Sequence, residues 1–535
     1  MAVALNRRRR IVAIPFLTLL LFVTGMCSLL SATDVTTYHN DIYRTGLNNK
    51  ETILTTGNVN FNNFGKLMML PVDGVIDAEP LYLSNVSISG QGTHNIVYTV
   101  TENDSVYAFD ADDGTQLWHT SVLGPGESPS DTHSCGQITP QIGITSTPVI
   151  SRSLGPNGTI FLVAMSKKSN TYFQRIHALD LTTGTEQKGS PVTVEAKYPG
   201  TGDGSQGGYV VFDPYQYAER AGLLLLDHTL FTAWTSHCDE RPYTGWVIGY
   251  DVKTGKQAVI NVTPNGNEGA IWQAGAGLAS DGSNIFFLVG NGTFDTALDG
   301  NGFPSKGDYG NAFMKLSTSA GKLAVADYFT MFNTVQESNA DEDLGSGGTL
   351  LLPPQKDSNK NTHLLAVGAG KDGNIYIVDR NNMGKFNPNN DNAIYQELDN
   401  ALSGGLWSMP AYFNQSLYFG PVSNRLLQFK LSNAKLVSTP ASKSSFSFGY
   451  PGTTPSISAN GTNNGIVWAI EHSNPDVLHA FAAADLSKEL YNSNQAPNNR
   501  DHFGNASHFP TPMIVNGKVF VGTTNGLAVF GQLGQ

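Results

Sequence analysis

Apolar residues along this chain come in short, dense runs, and the runs recur in threes. The first set is EPLYLS from 79, NIVYTV from 95 and SVYAFDADDGTQLW from 105. The second is TPVISR from 147, GTIFLVA from 158 and RIHALDLTTGTEQ from 175. A third begins with GLLLLD at 222 and ends with GWVIGYDVKTGKQ at 245, and five more open at GLASDG 277, GTLLLP 348, MPAYFN 409, TPSISA 454 and TPMIVN 511. The runs are rich in β-branched residues and too short for helices, so they predict strands. They are apolar on both faces, which predicts sheets covered on both sides. Asp-Asp-Gly, Thr-Thr-Gly and Lys-Thr-Gly follow the third run of the first three sets, where a hairpin needs positive φ. The residue beyond the turn, Trp118 in the first set, opens a fourth, outer strand.

A lone four-stranded sheet cannot cover its own faces. Eight of them can, by packing face to face around a closed ring. The expected fold is therefore all-β: an eight-bladed β-propeller of four-stranded antiparallel blades, with seven as the alternative count if the diverged third or fourth unit is not a blade. The eighth unit runs out at Gln535 after its third strand. FGKLMMLPVDG, 64–74, is the expected replacement for the missing outer strand, so an N-terminal strand closes the ring. Residues 33–535 read as one domain, with the glycine-rich stretches 198–208 and 296–310 as loops between strands.

Only 14% of the 535 residues are charged and 57 are glycine, which disfavours a helical bundle or coiled coil. The formal charge is −12. An acidic body is a poor partner for nucleic acid or an anionic membrane. Residues 1–32 carry Arg7, Arg8, Arg9 and Arg10, then the apolar run IVAIPFLTLLLFVT, then small residues at Ser31 and Ala32. That is the layout of a secretory signal peptide; the alternative is an uncleaved anchor, or a lipid-modified Cys27. Each places the body of the protein outside the cytoplasm, in the periplasm, on the cell surface or in the medium. Cys135 and Cys238 then form the pair expected to be disulfide-bonded in an oxidising compartment. Two cysteines without CxxC spacing give no zinc signal. Eight Asn-x-Ser/Thr sequons, among them Asn85, Asn157, Asn291 and Asn460, are read as turn composition first.

The motif VYAFDADDGTQLW at 106–118, with IHALDLTTG at 176–184 and VIGYDVKTG at 247–255, resembles the blade repeat of the pyrroloquinoline quinone (PQQ) propeller superfamily. That superfamily contains quinoprotein alcohol dehydrogenases and also non-catalytic propellers. The opening YHNDIYRTGLN, 38–48, resembles the start of exported bacterial PQQ-like propellers. In the dehydrogenases the resemblance implies PQQ on a tryptophan floor, calcium on Glu and Asn, a catalytic Asp and, in many, a disulfide between adjacent cysteines. This chain has no adjacent cysteine pair and no CxxCH haem motif.

The residues nearest to that equipment are scattered. Trp272, Trp407 and His237 are the candidates for a cofactor contact. Glu79, Glu268 and Asn291 are the candidates for a hard cation. Asp77, Glu79 and Glu268 are the candidate catalytic carboxylates. The loop SHCDERPYTGW gathers His237, Asp239, Glu240 and Arg241 around Cys238. His39, Asp41 and Arg44 are expected to stitch the entry segment onto a neighbouring blade. Two functions follow. One is an exported module binding a protein, glycan or small ligand on its rims or channel, with no cofactor established by the residues alone. The alternative is a PQQ- and calcium-dependent oxidoreductase acting on an alcohol or sugar.

Overall fold

The computed structural model describes Met1 and residues 33–534. The signal or anchor segment and Cys27 lie outside the described residues. Among the described residues no helix is long and apolar enough to cross a membrane.

Eight antiparallel sheets follow one another along the chain. Blade 1 is built from Leu81–Ile88, Gly92–Val100, Ser105–Asp110 and Gln116–Ser121 in that spatial order. The other seven repeat this order, starting from innermost strands at Val149–Ser151, Leu224–Leu226, Ala279–Ser280, Leu350–Leu351, Ala411–Phe413, Ser456–Asn460 and Met513–Val515. The diverged third and fourth units are both blades, so the count is eight. The 198–208 stretch folds back as a small hairpin, Lys197–Pro199 against Tyr209–Val211. The last blade takes its outer strand from the other end of the chain: Phe64–Pro71 pairs antiparallel with Gly526–Gln532. Met68 faces Val529, with a bulge at Leu67. Phe64 then buries its ring against Trp468 and Tyr491 of blade 7.

The repeated motif is legible as local chemistry. In DADDG, Asp110 Oδ1 accepts the backbone N–H of Asp112 at 2.7 Å, and Gly114 turns the chain at φ +82°. Asp180 and Asp251 do the same for Thr182 and Lys253, with Gly184 and Gly255 at positive φ. The aspartate thus satisfies turn amides that the ladder leaves free. The motif also joins blades. Trp118 lies on the turn of blade 2, where a Cβ on Gly184 would come within 2.5 Å of its ring. Its indole N–H donates to Leu181 O at 3.0 Å. Apolar clusters fill the seams, such as Phe231, Val247, Ile285 and Phe287 between blades 3 and 4.

The entry segment 35–51 does more than reach one neighbouring blade. It visits the inner strands in turn. Val35 O accepts from Tyr82 of blade 1, Thr36 O from Ile150 of blade 2, Ile42 O from Ser280 of blade 4 and Tyr43 O from Leu351 of blade 5. Thr45 O and Gly46 O take Tyr412 of blade 6 and Ile457 of blade 7. Asn48 Nδ2 then donates to Ile514 O of blade 8 at 3.0 Å. Inner strands of a propeller have one unpaired edge, and this strap satisfies those edges. Leu47–Asn48 even joins blade 7 as a short parallel strand. Arg44, fully buried, completes blade 3 and fixes the strap's fold, donating to Leu278 O, Leu223 O, Tyr38 O and the Thr37 hydroxyl.

Glu79 belongs to this strap. Its Oε2 accepts the His39 N–H at 2.6 Å, and its side chain is buried. Burial pushes its pKa from the ordinary 4.5 to about 8. The folded state therefore binds a proton that the unfolded chain releases, across the window between those two values. Stability falls as pH rises through that window. A Glu79→Gln variant is expected to show a shallower fall in its urea midpoint between pH 5 and pH 8; identical slopes would count against the assignment.

Candidate functional site

The entry strap lies against the inner strands themselves. A cavity of about 310 Å³ is lined by residues from the loops before the inner strands and after the second strands of blades 2 through 8. Only the propeller axis is adjacent to all of them, so the cavity is axial. Trp272 enters from the approach to blade 4 and Trp407 from the approach to blade 6. Tyr450 meets Trp407 edge-on with 6.3 Å between ring centroids. His508 and Phe509 enter from blade 8.

One side is covered by the loop 131–141. Its neck is pinched by paired hydrogen bonds between Ser130 and Ile142. Cys135 in this loop is disulfide-bonded to Cys238 in the loop after the second strand of blade 3, with 5.6 Å between Cα atoms. His508 Nδ1 donates to Gln137 O at 3.2 Å, holding the loop on blade 8. A non-reducing digest is expected to yield a linked Cys135–Cys238 peptide, whereas two alkylatable thiols would contradict the bridge.

His237, beside Cys238, stacks on His133 with 4.1 Å between centroids and 7° between planes. Burial, and then the neighbouring His133, push its pKa down to about 3. The ring is neutral, and its buried Nε2 has no hydrogen-bond partner.

Asp239 also lines the cavity, its Oδ1 accepting from the Tyr243 hydroxyl at 2.8 Å, and the remaining charges divide into a spent pair and an unspent cation. Asp343 Oδ2 binds Lys371 Nζ at 2.6 Å, and the same ammonium reaches Asp341 at 2.8 Å. Asp343 Oδ1 accepts the Asn291 N–H at 2.5 Å. Burial raises the Asp343 pKa, while Lys371 pulls against it. Arg220 is different. It donates to Thr145 O at 3.0 Å and lies 5.7 Å from the centre of the Phe509 ring. Among the described residues no carboxylate stands within ion-pair distance of it. Glu219, next in sequence, is pushed up to about 8 by burial, so it is protonated at neutral pH. Burial and the adjacent Asp77 raise Glu102 as well. A guanidinium that is nine-tenths buried, lining a cavity and without a counter-ion, calls for an anion.

Of the sequence candidates, Trp272, Trp407, His237 and the cysteine pair come together here. Asp77, Glu79, Glu268 and Asn291 do not. Asp77 lies against Glu102, and Glu79 is tied to the strap. Glu268 answers to Arg241 across the blade 3 loop. Asn291 donates its side-chain N–H to Asp341, and its buried Oδ1 has no partner. Among the described residues, no three His, Cys, Asp or Glu side chains converge as metal ligands. Between Asp341 and Asp343 the positive charge is supplied by Lys371 instead of an ion. His, Cys, Asp and Glu side chains alone therefore form no cation site among the described residues. The sequence reading missed Arg220, Asp343 and Lys371. Their one signal was position, since Arg220 and Asp343 sit a few residues before inner strands and Lys371 just after a second strand.

No family model and no curated protein matches the chain. Solved structures do. The quinohemoprotein alcohol dehydrogenase from Comamonas testosteroni matches with a TM-score of 0.60 at 13% identity, over 93% of this chain and 80% of that one. The quinohemoprotein alcohol dehydrogenase ADHIIG from Pseudomonas putida HK5 gives 0.61 at 13%, over 94% and 81%. A europium-containing methanol dehydrogenase gives 0.62 at 12%, over 93% and 98%. The fold is that of the quinoprotein alcohol dehydrogenases. At these identities the quinoprotein likeness is one of architecture, and the chemistry has to be argued from the cavity.

Proposed function

We propose that this protein binds a small, flat, anionic molecule in its axial cavity. Unpaired Arg220 is the observation that carries the reading. The two indoles at the wall offer flat faces, and His237 Nε2 offers one unspent polar atom. The volume lies at the low end of small-ligand sites, which run from about 300 to 1,000 Å³. A protein segment or a long glycan is too large for it, so those broader binding readings are not favoured.

PQQ, a fused aromatic carrying several carboxylates, has the chemistry this wall would recognise. Arg220 would pair with a carboxylate and Trp272 or Trp407 would cover a ring face. A second reading, an oxidoreductase acting on an alcohol or sugar, is favoured by Asp343 at the cavity wall together with the quinoprotein fold. PQQ would then supply the hydride-accepting quinone. Asp343 would take the substrate proton, and Lys371 would steady its charge before transfer.

Titration of the purified protein with PQQ, followed by tryptophan fluorescence, tests both readings. Saturable quenching at micromolar ligand without dye reduction supports the binding reading. Saturable quenching with dye reduction across an alcohol and sugar panel supports the second. Unchanged fluorescence, with PQQ and with other aromatic polycarboxylates, overturns both.

A further inference from the structure

A second cavity, of about 810 Å³, opens where the blade 4 to blade 5 connection meets blade 5. Glu337, Glu342, Asp372, Asp391, Glu397 and Asp399 line it, and no lysine or arginine does. It stands beside the axial cavity in sequence but is separate from it. Asp343 and Lys371 line the axial site, whereas their chain neighbours Glu342 and Asp372 line this one.

Glu337 is the decisive residue. It sits on the short helix Thr334–Asn339 and is 5% exposed. Its Oε2 is buried and has no hydrogen-bond partner. A carboxylate oxygen held away from bulk water without a donor is costly unless a cation or donor arrives. The electrostatics agree. Burial, then the charge of Asp372, push Glu337 up to about 8. Burial, then Asp391 and Asp399, push Glu397 up to about 7. No cation in the lining relieves this crowding, so the buried Glu337 carboxyl keeps its proton until a cation arrives to let it ionise.

What kind of cation fits is decided by spacing and by the apolar lining. The carboxylates are dispersed, and among the described residues no three of them converge on a point. A single metal ion needs convergent oxygens. A ligand with several positive charges along a chain does not. Phe332 and Ile394 add apolar surface among the acids, and Phe332 is 48% exposed. Aromatic faces attract ammonium groups and also cover methylene stems. We propose that this cavity binds a linear aliphatic polyamine, its ammonium groups paired with the dispersed carboxylates and its methylenes against Phe332. Glu337 Oε2 would accept from one ammonium at the buried end.

Calorimetry on the full chain tests this, with spermidine as the probe and n-butylamine and calcium chloride as controls at matched ionic strength. Spermidine is expected to bind saturably. Glu337→Gln combined with Glu397→Gln is expected to weaken it about tenfold or more, the weight of a lost charge-assisted hydrogen bond. Phe332→Ala should weaken it less. If the double variant does not fold, Asp399→Asn, at an exposed position, replaces it and is expected to weaken binding in the same direction. Absence of spermidine heat at millimolar concentration would overturn the proposal. So would unchanged affinity in the folded variants, or calcium binding there as tightly as spermidine.

Discussion

Replacing Arg220 by methionine is expected to weaken PQQ binding about 30-fold, the ~2 kcal/mol weight of a charge-assisted hydrogen bond lost from a shielded site. Methionine keeps much of the stem volume but removes the guanidinium, and with it both the charge and the contact over the Phe509 ring. Arg220→Lys should recover part of the loss, because an ammonium keeps the charge but not the fork. The measurement is the fluorescence titration at two salt concentrations. Wild type is expected to lose affinity with salt, and the methionine variant to lose less. Equal affinities in all three proteins would remove the basis of the proposed function. An unpaired Arg220 depends on Glu219 and Glu102 being protonated. If either were ionised at neutral pH, its charge would partly offset Arg220 from beyond ion-pair distance, and the variant would fall in stability before it fell in binding.

That dependence explains why the fold was legible in the sequence and the site was not. A blade is encoded locally. The Asp-x-x-Gly turn, the two-faced apolar strand and the aromatic at 118 each sit in one continuous stretch, and the same solution is written again in the next unit. Ring closure was also legible, because a final unit lacking one strand leaves an edge that Phe64–Pro71 can satisfy. The axial cavity is the opposite case. Its lining is gathered from seven blades, so Arg220 is separated by over a hundred residues from Asp343 and Lys371, which bracket the first two strands of blade 5. In the sequence, Lys371 in GAGKDGN reads as a turn residue. Glu79 shows the reverse error. A carboxylate before an inner strand resembles a metal ligand in one dimension, but its Oε2 is taken by the strap's His39 N–H while Oε1 is buried without a partner. The cysteine pair was recoverable because cysteine is scarce in this chain, whereas Trp272 and Trp407 stood out only by their place before inner strands, since the other tryptophans pack within the blades.

Arg44→Met is expected to cost about 3–5 kcal/mol of stability, more than any single-blade core truncation of similar volume. Arg44 is fully buried, and its guanidinium is met mainly by carbonyl oxygens. Burial lowers its pKa to about 10, which still leaves it charged at neutral pH. Its donors tie Leu223 of blade 3 and Leu278 of blade 4 to Tyr38 in the strap at 3.2, 2.9 and 2.7 Å. Methionine would leave those oxygens buried without partners, each costing about 1–3 kcal/mol when no water can reach it. The control is Arg152→Met. Arg152 pairs with Asp34 in solvent, 42% exposed against 27%, so its loss should cost about 1 kcal/mol or less. Urea unfolding followed by tryptophan fluorescence compares the two variants. The strap spans the inner strands from blade 1 to blade 8, so the Arg44 variant should lower the midpoint in one cooperative step. If its midpoint moved no more than that of the Arg152 variant, the strap would be an attachment to the ring and not part of what holds the ring together.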